Sequence, residues 1–180
     1  MKSQTQLSSN EDRKNLFPFS QKFFSSYTSL LIFLALLKLT IHLIANVLGG
    51  YGYFRDELYY IACSNHLDWG YVDQPPFSIA LLWLSRLVFG DSLFALHLLP
   101  AIAGAVVVFI SGLIVKEFGG NKFAIILSAF TIIIAPQLLG TNSYFSMNSF
   151  DVLFWTISAY LLILIMKNDK MKYWIILGTV

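Results

Sequence analysis

Two adjacent carboxylates, Asp56 and Glu57, stand in the stretch YGYFRDELYY (residues 51–60) beside Arg55 and among five aromatic rings. Neighbouring carboxylates repel, and where water is excluded that repulsion moves one member of a pair toward basicity useful at neutral pH. The pattern suits a general base that takes a proton from an attacking group. It also suits a plainer task, in which both carboxylates cap and solvate a surface helix and Arg55 balances their charge. A further carboxylate, Asp73, stands with Gln74 just before Pro75 and Pro76. Backbone before proline is pushed toward extended conformations, so this pair is expected on a stiff, non-helical strut. Later, GTNSYFSMNSFD brings Asn142, Asn148 and Asp151. Asn148 reads as a helix N-cap, with Asp151 three residues on favouring the positive helix end. The same three side chains are candidates to face Asp56 across a cavity and touch a ligand.

His66 and Asp68 form a possible metal-ligand pair, with Asp56 and Asp73 as further candidates for a divalent ion. Two ligands without a third at familiar spacing are a weak metal signal, and a lone loop histidine more often hydrogen-bonds locally. Cys63 has no partner for an intrachain disulfide and reads as packing. Gly49, Gly50 and Gly52 follow no strand, so they make a turn rather than a phosphate cradle, which disfavours a nucleotide-linked donor. No serine-centred triad and no Cys/His cluster is found. The net charge of +2 is too small, and the basic residues too scattered, for nucleic-acid binding.

The elements that must position these residues are apolar. Hydrophobic residues make up 57% of the chain, charged residues 12%, and the mean hydropathy is +0.67. A soluble domain carries about 25% charged residues. The chain is therefore an integral membrane protein, expected to be all-α. Spans are predicted at about residues 27–48, 92–115, 123–139 and 150–166, with the start of another at 173, because a bilayer core of about 30 Å needs roughly 20 apolar residues. The last run stops after about eight residues, so the sequence reads as an N-terminal fragment. Residues 1–26 are polar and read as a flexible cytoplasmic tail rather than a cleaved signal. Lysines at 116, 122, 167, 170 and 172 put alternate connections on the cytoplasmic side. The outer face then receives the loop 49–91. Within that loop, residues 55–67 can form an amphipathic surface helix with Asp56 and Tyr60 on one side and Phe54, Leu58 and Ile61 on another. Residues 77–89 are too short for a span and suit a surface-lying helix. Lys38 and His42, four apart in the first span, are expected to face protein or water.

RDELYYIACSNHLDWGYVDQPPF followed by NSYFSMNSFDVLFW resembles the amino-terminal part of bacterial family 39 glycosyltransferases, relatives of protein O-mannosyltransferases and of aminoarabinose transferases that modify lipid A. These belong to the GT-C class. The similarity runs from about Leu31 to the end and rests on an ordered set: Asp-Glu after the first span, an acidic residue before Pro-Pro, and an Asn-rich turn leading into a later helix. The resemblance implies a GT-C transmembrane helix bundle with amphipathic helices in its first extracytoplasmic loop. It implies an inverting enzyme that moves a sugar from a polyprenyl-phosphate donor to a hydroxyl on a cell-envelope lipid, polysaccharide or protein at the outer face of the cell membrane. By that similarity Asp56 is the general base, and Glu57 orients the acceptor or tunes the base. Asp73 lines the same cavity and helps hold the acceptor or a metal ion.

Lipid A-type relatives carry lysine where this chain has Gln74, which removes a cation that would meet the donor phosphate. Tyr53, Tyr59, Tyr60, Trp69 and Tyr71 suit stacking on sugar rings, and equally an aromatic belt at a membrane interface. Two other classes remain: a non-catalytic scaffold or inactive truncated relic, since such enzymes draw donor-phosphate cations from later loops, and a transporter relay through Lys38, His42 and Asp151. A chain of this extent is expected to be inactive alone.

Overall fold

A computed structural model describes residues 18–168 and 170–180, so most of the expected tail lies outside the described residues. Every regular element among them is a helix: α1 (Pro18–Leu48), α2 (Arg55–Ser64), α3 (Pro76–Phe89), α4 (Leu93–Glu117), α5 (Lys122–Ile134), α6 (Pro136–Thr141), α7 (Met147–Asn168) and α8 (Met171–Leu177). Three stretches are long and apolar enough to cross a membrane, Tyr27–Leu48, Leu93–Glu117 and Met147–Asn168. The chain is a polytopic membrane helix bundle.

The run expected to form one span at 123–139 is instead two helices. Ala135 takes extended backbone, with ψ of 118°, and Pro136 opens α6. Proline disfavours the α region for the residue before it and suits the first helical position, so the break is local chemistry.

The central helix is α4, against which α1, α3, α5 and α7 pack. The buried face of α1 runs through Tyr27, Leu31, Leu34, Lys38 and His42, a helical stripe that turns from apolar to polar along its length. At its apolar end Tyr27, Leu31 and Leu34 meet Val108 of α4 and Ile125, Ala129 and Ile133 of α5. Gly112 permits this approach, since a Cβ there would lie 2.1 Å from a methyl carbon of Leu31. A second cluster joins Tyr60 of α2, Ile79 and Leu82 of α3, Leu96 and Ala103 of α4, Phe145 in the turn before α7, and Phe150 in its first turn.

That second cluster fixes α2 and α3 to one end of the bundle. Arg86 of α3 completes the join: Nη1 donates to Ser64 Oγ at 2.5 Å and Asn65 Oδ1 at 2.8 Å, while Nε pairs with Asp91 at 2.5 Å. The buried side of α2 is Glu57, Tyr60 and Ser64, whereas Leu58 is 57% exposed. A carboxylate occupies the inner face because it has specific partners there.

Candidate active site

Glu57 is 1% exposed and both of its oxygens accept backbone bonds. Oε2 accepts from Phe54 N–H at 2.7 Å, which closes the N-terminus of α2. This satisfies one of the donors that a helix start leaves unpaired. Oε1 accepts from Phe145 N–H, 88 residues along the chain, also at 2.7 Å. The same Oε1 lies 2.9 Å from His97 Nε2 of α4, a contact that is an ion pair when the ring is protonated. The approach is too oblique for a hydrogen bond at that nitrogen. His97 Nδ1 faces Asn46 Oδ1 at 3.0 Å, and Asn46 Nδ2 donates to Phe94 O at 3.3 Å. One carboxylate thus ties together α2, α4 and the turn before α7.

One turn further along α2, Tyr60 repeats the connection. Its hydroxyl accepts from Met147 N–H at 3.0 Å, and its ring meets Phe145 edge-on at 5.6 Å. Burial holds the Tyr60 phenol above its ordinary range. Glu57 and Tyr60 therefore act as rivets between α2 and the segment 144–148.

Between those two walls lies a cavity of about 730 Å³, lined by Arg55, Asp56, Tyr59, Tyr60, Val72, Asp73, Gln74, Tyr144, Ser146, Met147 and Asn148. Asp56 follows Arg55 and precedes Glu57, yet its side chain points elsewhere than that of Glu57, as successive helical residues do. Asp56 is half-exposed and pairs with Arg55 at 3.1 Å. Asp73, which lines the same cavity, accepts through Oδ1 a long hydrogen bond, 3.5 Å, from the Tyr59 hydroxyl. The adjacent Cys63 thiol, followed by desolvation and the Asp73 charge, raises the Tyr59 phenol above its ordinary range. Two buried polar atoms of the lining residues have no partner: Gln74 Oε1 and Ser146 Oγ. Buried polar atoms are normally satisfied, so these two stand out in the wall of the cavity.

The structure brings Asp56, Tyr60, Asp73, Gln74 and Asn148 to this one cavity. Glu57 does not line it and stands behind it. Asn142 lines a second, neighbouring cavity and donates through Nδ2 to Pro100 O at 3.2 Å. Asp151 is exposed on α7 and lines neither of these two cavities. Asn148 is the second residue of α7, which starts at Met147, so it is not the N-cap expected from sequence. Asp151 accordingly lies beyond the first turn, where the helix dipole acts most strongly.

His66 uses its backbone carbonyl to accept from the Tyr71 hydroxyl at 2.9 Å, and Asp68 Oδ1 accepts from Trp69 N–H at 2.7 Å. Among the described residues no group of three or more His, Cys, Asp or Glu is placed to hold a metal ion. Sequence reasoning did not single out Ser146 or His97. Neither residue stands in a pattern that announces it; their significance comes from partners distant in the chain.

Fold and site together define a helical membrane protein with two carboxylates facing a cavity at one end of its bundle. A family model described as dolichyl-phosphate-mannose-protein mannosyltransferase matches residues 73–180, more than half of the chain, and the chain belongs to this family of membrane glycosyltransferases. The match covers Asp73 and helices α3 to α8, while Asp56, Glu57 and α2 precede it. No curated protein and no solved structure matches the chain.

Proposed function

We propose that the protein transfers a sugar from a polyprenyl-phosphate donor to a hydroxyl acceptor with inversion, and that Asp56 is the general base. The observation that carries this reading is the convergence of Asp56, Asp73, Tyr60 and Asn148 on one cavity in a chain of the mannosyltransferase family. The acceptor oxygen attacks the anomeric carbon while the Asp56 carboxylate takes its proton. The bond from that carbon to the phosphate oxygen breaks, and the polyprenyl phosphate leaves with the electron pair. A phosphate is already a good leaving group, so it needs charge neutralisation more than protonation. Arg55 is the cation on the cavity wall, 91% exposed, and is placed to supply part of that neutralisation as its pairing with Asp56 loosens.

Asp73, Gln74, Ser146 and Asn148 offer carboxylate, amide and hydroxyl groups for positioning the acceptor. Glu57 contributes by holding α2 against the 144–148 turn, so that Asp56 is presented at a fixed place. The cavity opens on the extracytoplasmic side of the cell membrane, with the N-terminus in the cytoplasm, and the acceptor is a cell-envelope lipid, polysaccharide or protein.

The reading is tested with the full-length protein in membranes supplied with labelled polyprenyl-phosphate sugar. Expected is a glycosylated acceptor whose anomeric configuration, read by NMR of the released glycan, is opposite to that of the donor. Retention of configuration would contradict a single displacement assisted by one base.

A further inference from the structure

We infer that the end of the bundle remote from the Asp56 cavity is a docking surface for the headgroups of anionic phospholipids. The central helix α4 has 25 residues, so its Glu117 end lies roughly 37 Å from its start at Leu93, near the cluster that holds α2 and α3. Two connections distant in the chain meet at the Glu117 end. Lys167 of α7 donates to the backbone carbonyl of Glu117 and pairs with its carboxylate at 3.0 Å, which sets residues 116–122 beside residues 167–172. Lys116 and Lys122 both reach the ring of Tyr27, with Nζ 5.9 and 5.8 Å from its centroid. That ring gathers the two ammoniums at one place.

The two connections carry five lysines, at 116, 122, 167, 170 and 172, against two acidic residues, Glu117 and Asp169. Glu117 is engaged by Lys167, while Lys122, Lys170 and Lys172 are exposed. Large apolar side chains stand among the lysines: Phe118, Phe123, Met166 and Met171 are 70–86% exposed. A soluble anion would match the lysines alone. A phospholipid matches both sets at once, its phosphate meeting the ammoniums and its acyl chains the apolar side chains, with the long lysine stems spanning the boundary between them. This double match selects a lipid as the occupant.

An ammonium beside an anionic membrane surface shifts local lipid preference by about fivefold, so even a few of these lysines acting on one headgroup are enough to enrich it. The assignment stands on this remote end and depends neither on Asp56 being a base nor on sugar transfer.

The test uses the full-length protein in vesicles of phosphatidylcholine and phosphatidylglycerol in equal parts, with a trace of one or the other lipid spin-labelled. Electron paramagnetic resonance reads the fraction of label immobilised at the protein. Phosphatidylglycerol is expected to associate about fivefold more strongly than phosphatidylcholine, and to lose that preference in about 1 M salt, where the screening length falls to about 3 Å. Lys116→Gln, Lys122→Gln, Lys170→Gln and Lys172→Gln together are expected to abolish the preference, while arginine at the same four positions keeps it. If circular dichroism shows the quadruple glutamine variant misfolded, Lys170→Gln with Lys172→Gln decides instead, since both side chains are exposed; this pair is expected to lower the preference at least about twofold. Soluble glycerol phosphate is expected not to displace the labelled lipid. Equal association of the two lipids, an unchanged preference in the folded glutamine variant, or displacement by glycerol phosphate would each overturn the inference.

Discussion

Replacing Glu57 by Gln changes the hydrogen-bonding pattern of the joint that holds the walls of the candidate site together, with almost no change of shape. In the native protein both carboxylate oxygens accept: one from Phe54 N–H and one from the buried Phe145 N–H, each at 2.7 Å. An amide offers one accepting oxygen and turns the other position into a donor, so one backbone N–H loses its partner and faces another donor. A hydrogen bond to a charged group contributes about 1.5–3 kcal/mol, and an unsatisfied buried donor costs about 1–3 kcal/mol. The contact with His97 at 2.9 Å also loses its charge. The effect on the joint between α2 and the 144–148 turn is therefore about 2–4 kcal/mol. Amide exchange reads it directly: local opening at Phe145 should become roughly 30- to 1,000-fold more frequent, while amides in the middle of α4 keep their protection. Unchanged exchange at both Phe54 and Phe145 would refute the view that Glu57 rivets the cavity walls together.

Tyr60→Phe removes the acceptor of Met147 N–H and should weaken the same joint by about 1–2 kcal/mol, seen as faster exchange at Met147. Because burial raises the Tyr60 phenol above its ordinary value of 10.0, the stability linked to its neutral form is fully present below about pH 10 and is lost as pH rises through the folded value. Absorbance of tyrosinate should show late-titrating phenols, one fewer of them in Tyr60→Phe; an unchanged alkaline titration would count against its burial. Arg86→Lys keeps a charge but cannot reach Ser64, Asn65 and Asp91 together, so the α2–α3 join should lose about 1–2 kcal/mol and residues 65–75 should be cleaved faster in limited proteolysis. Equal cleavage rates would show that the join does not rest on the guanidinium fork.

The all-helical membrane class was legible because each long apolar run contains a bilayer's worth of residues with few charges, and that signal needs no partner. Lys38 and His42 were readable as inward-facing for the same reason, since lipid penalises them. Both lie on the buried stripe of α1. The run at 123–139 misled because hydropathy sums over a window and does not register the backbone break that Pro136 imposes at Ala135. In the site, the carboxylate of Asp56 and the Asp73–Gln74 strut were visible as residue types in unusual settings. The division of labour between Asp56 and Glu57 was not. It depends on Phe145, which is 88 residues from Glu57, and on His97, and nothing in a ten-residue window specifies such partners. Ser146 was illegible for a related reason: a serine in a serine-rich turn gains meaning only when its hydroxyl is found buried and unpaired.

The most direct test of the account is sugar transfer by the full-length protein beside its Asp56→Asn form, with insertion and thermal stability measured on the same preparations. Asp56 is half-exposed and supports no backbone bond, so the substitution should leave folding intact. Loss of a general base lowers turnover by about 10²–10⁴-fold. A well-folded Asp56→Asn protein with turnover in that reduced range is the predicted result; turnover equal to that of the parent would contradict the mechanism.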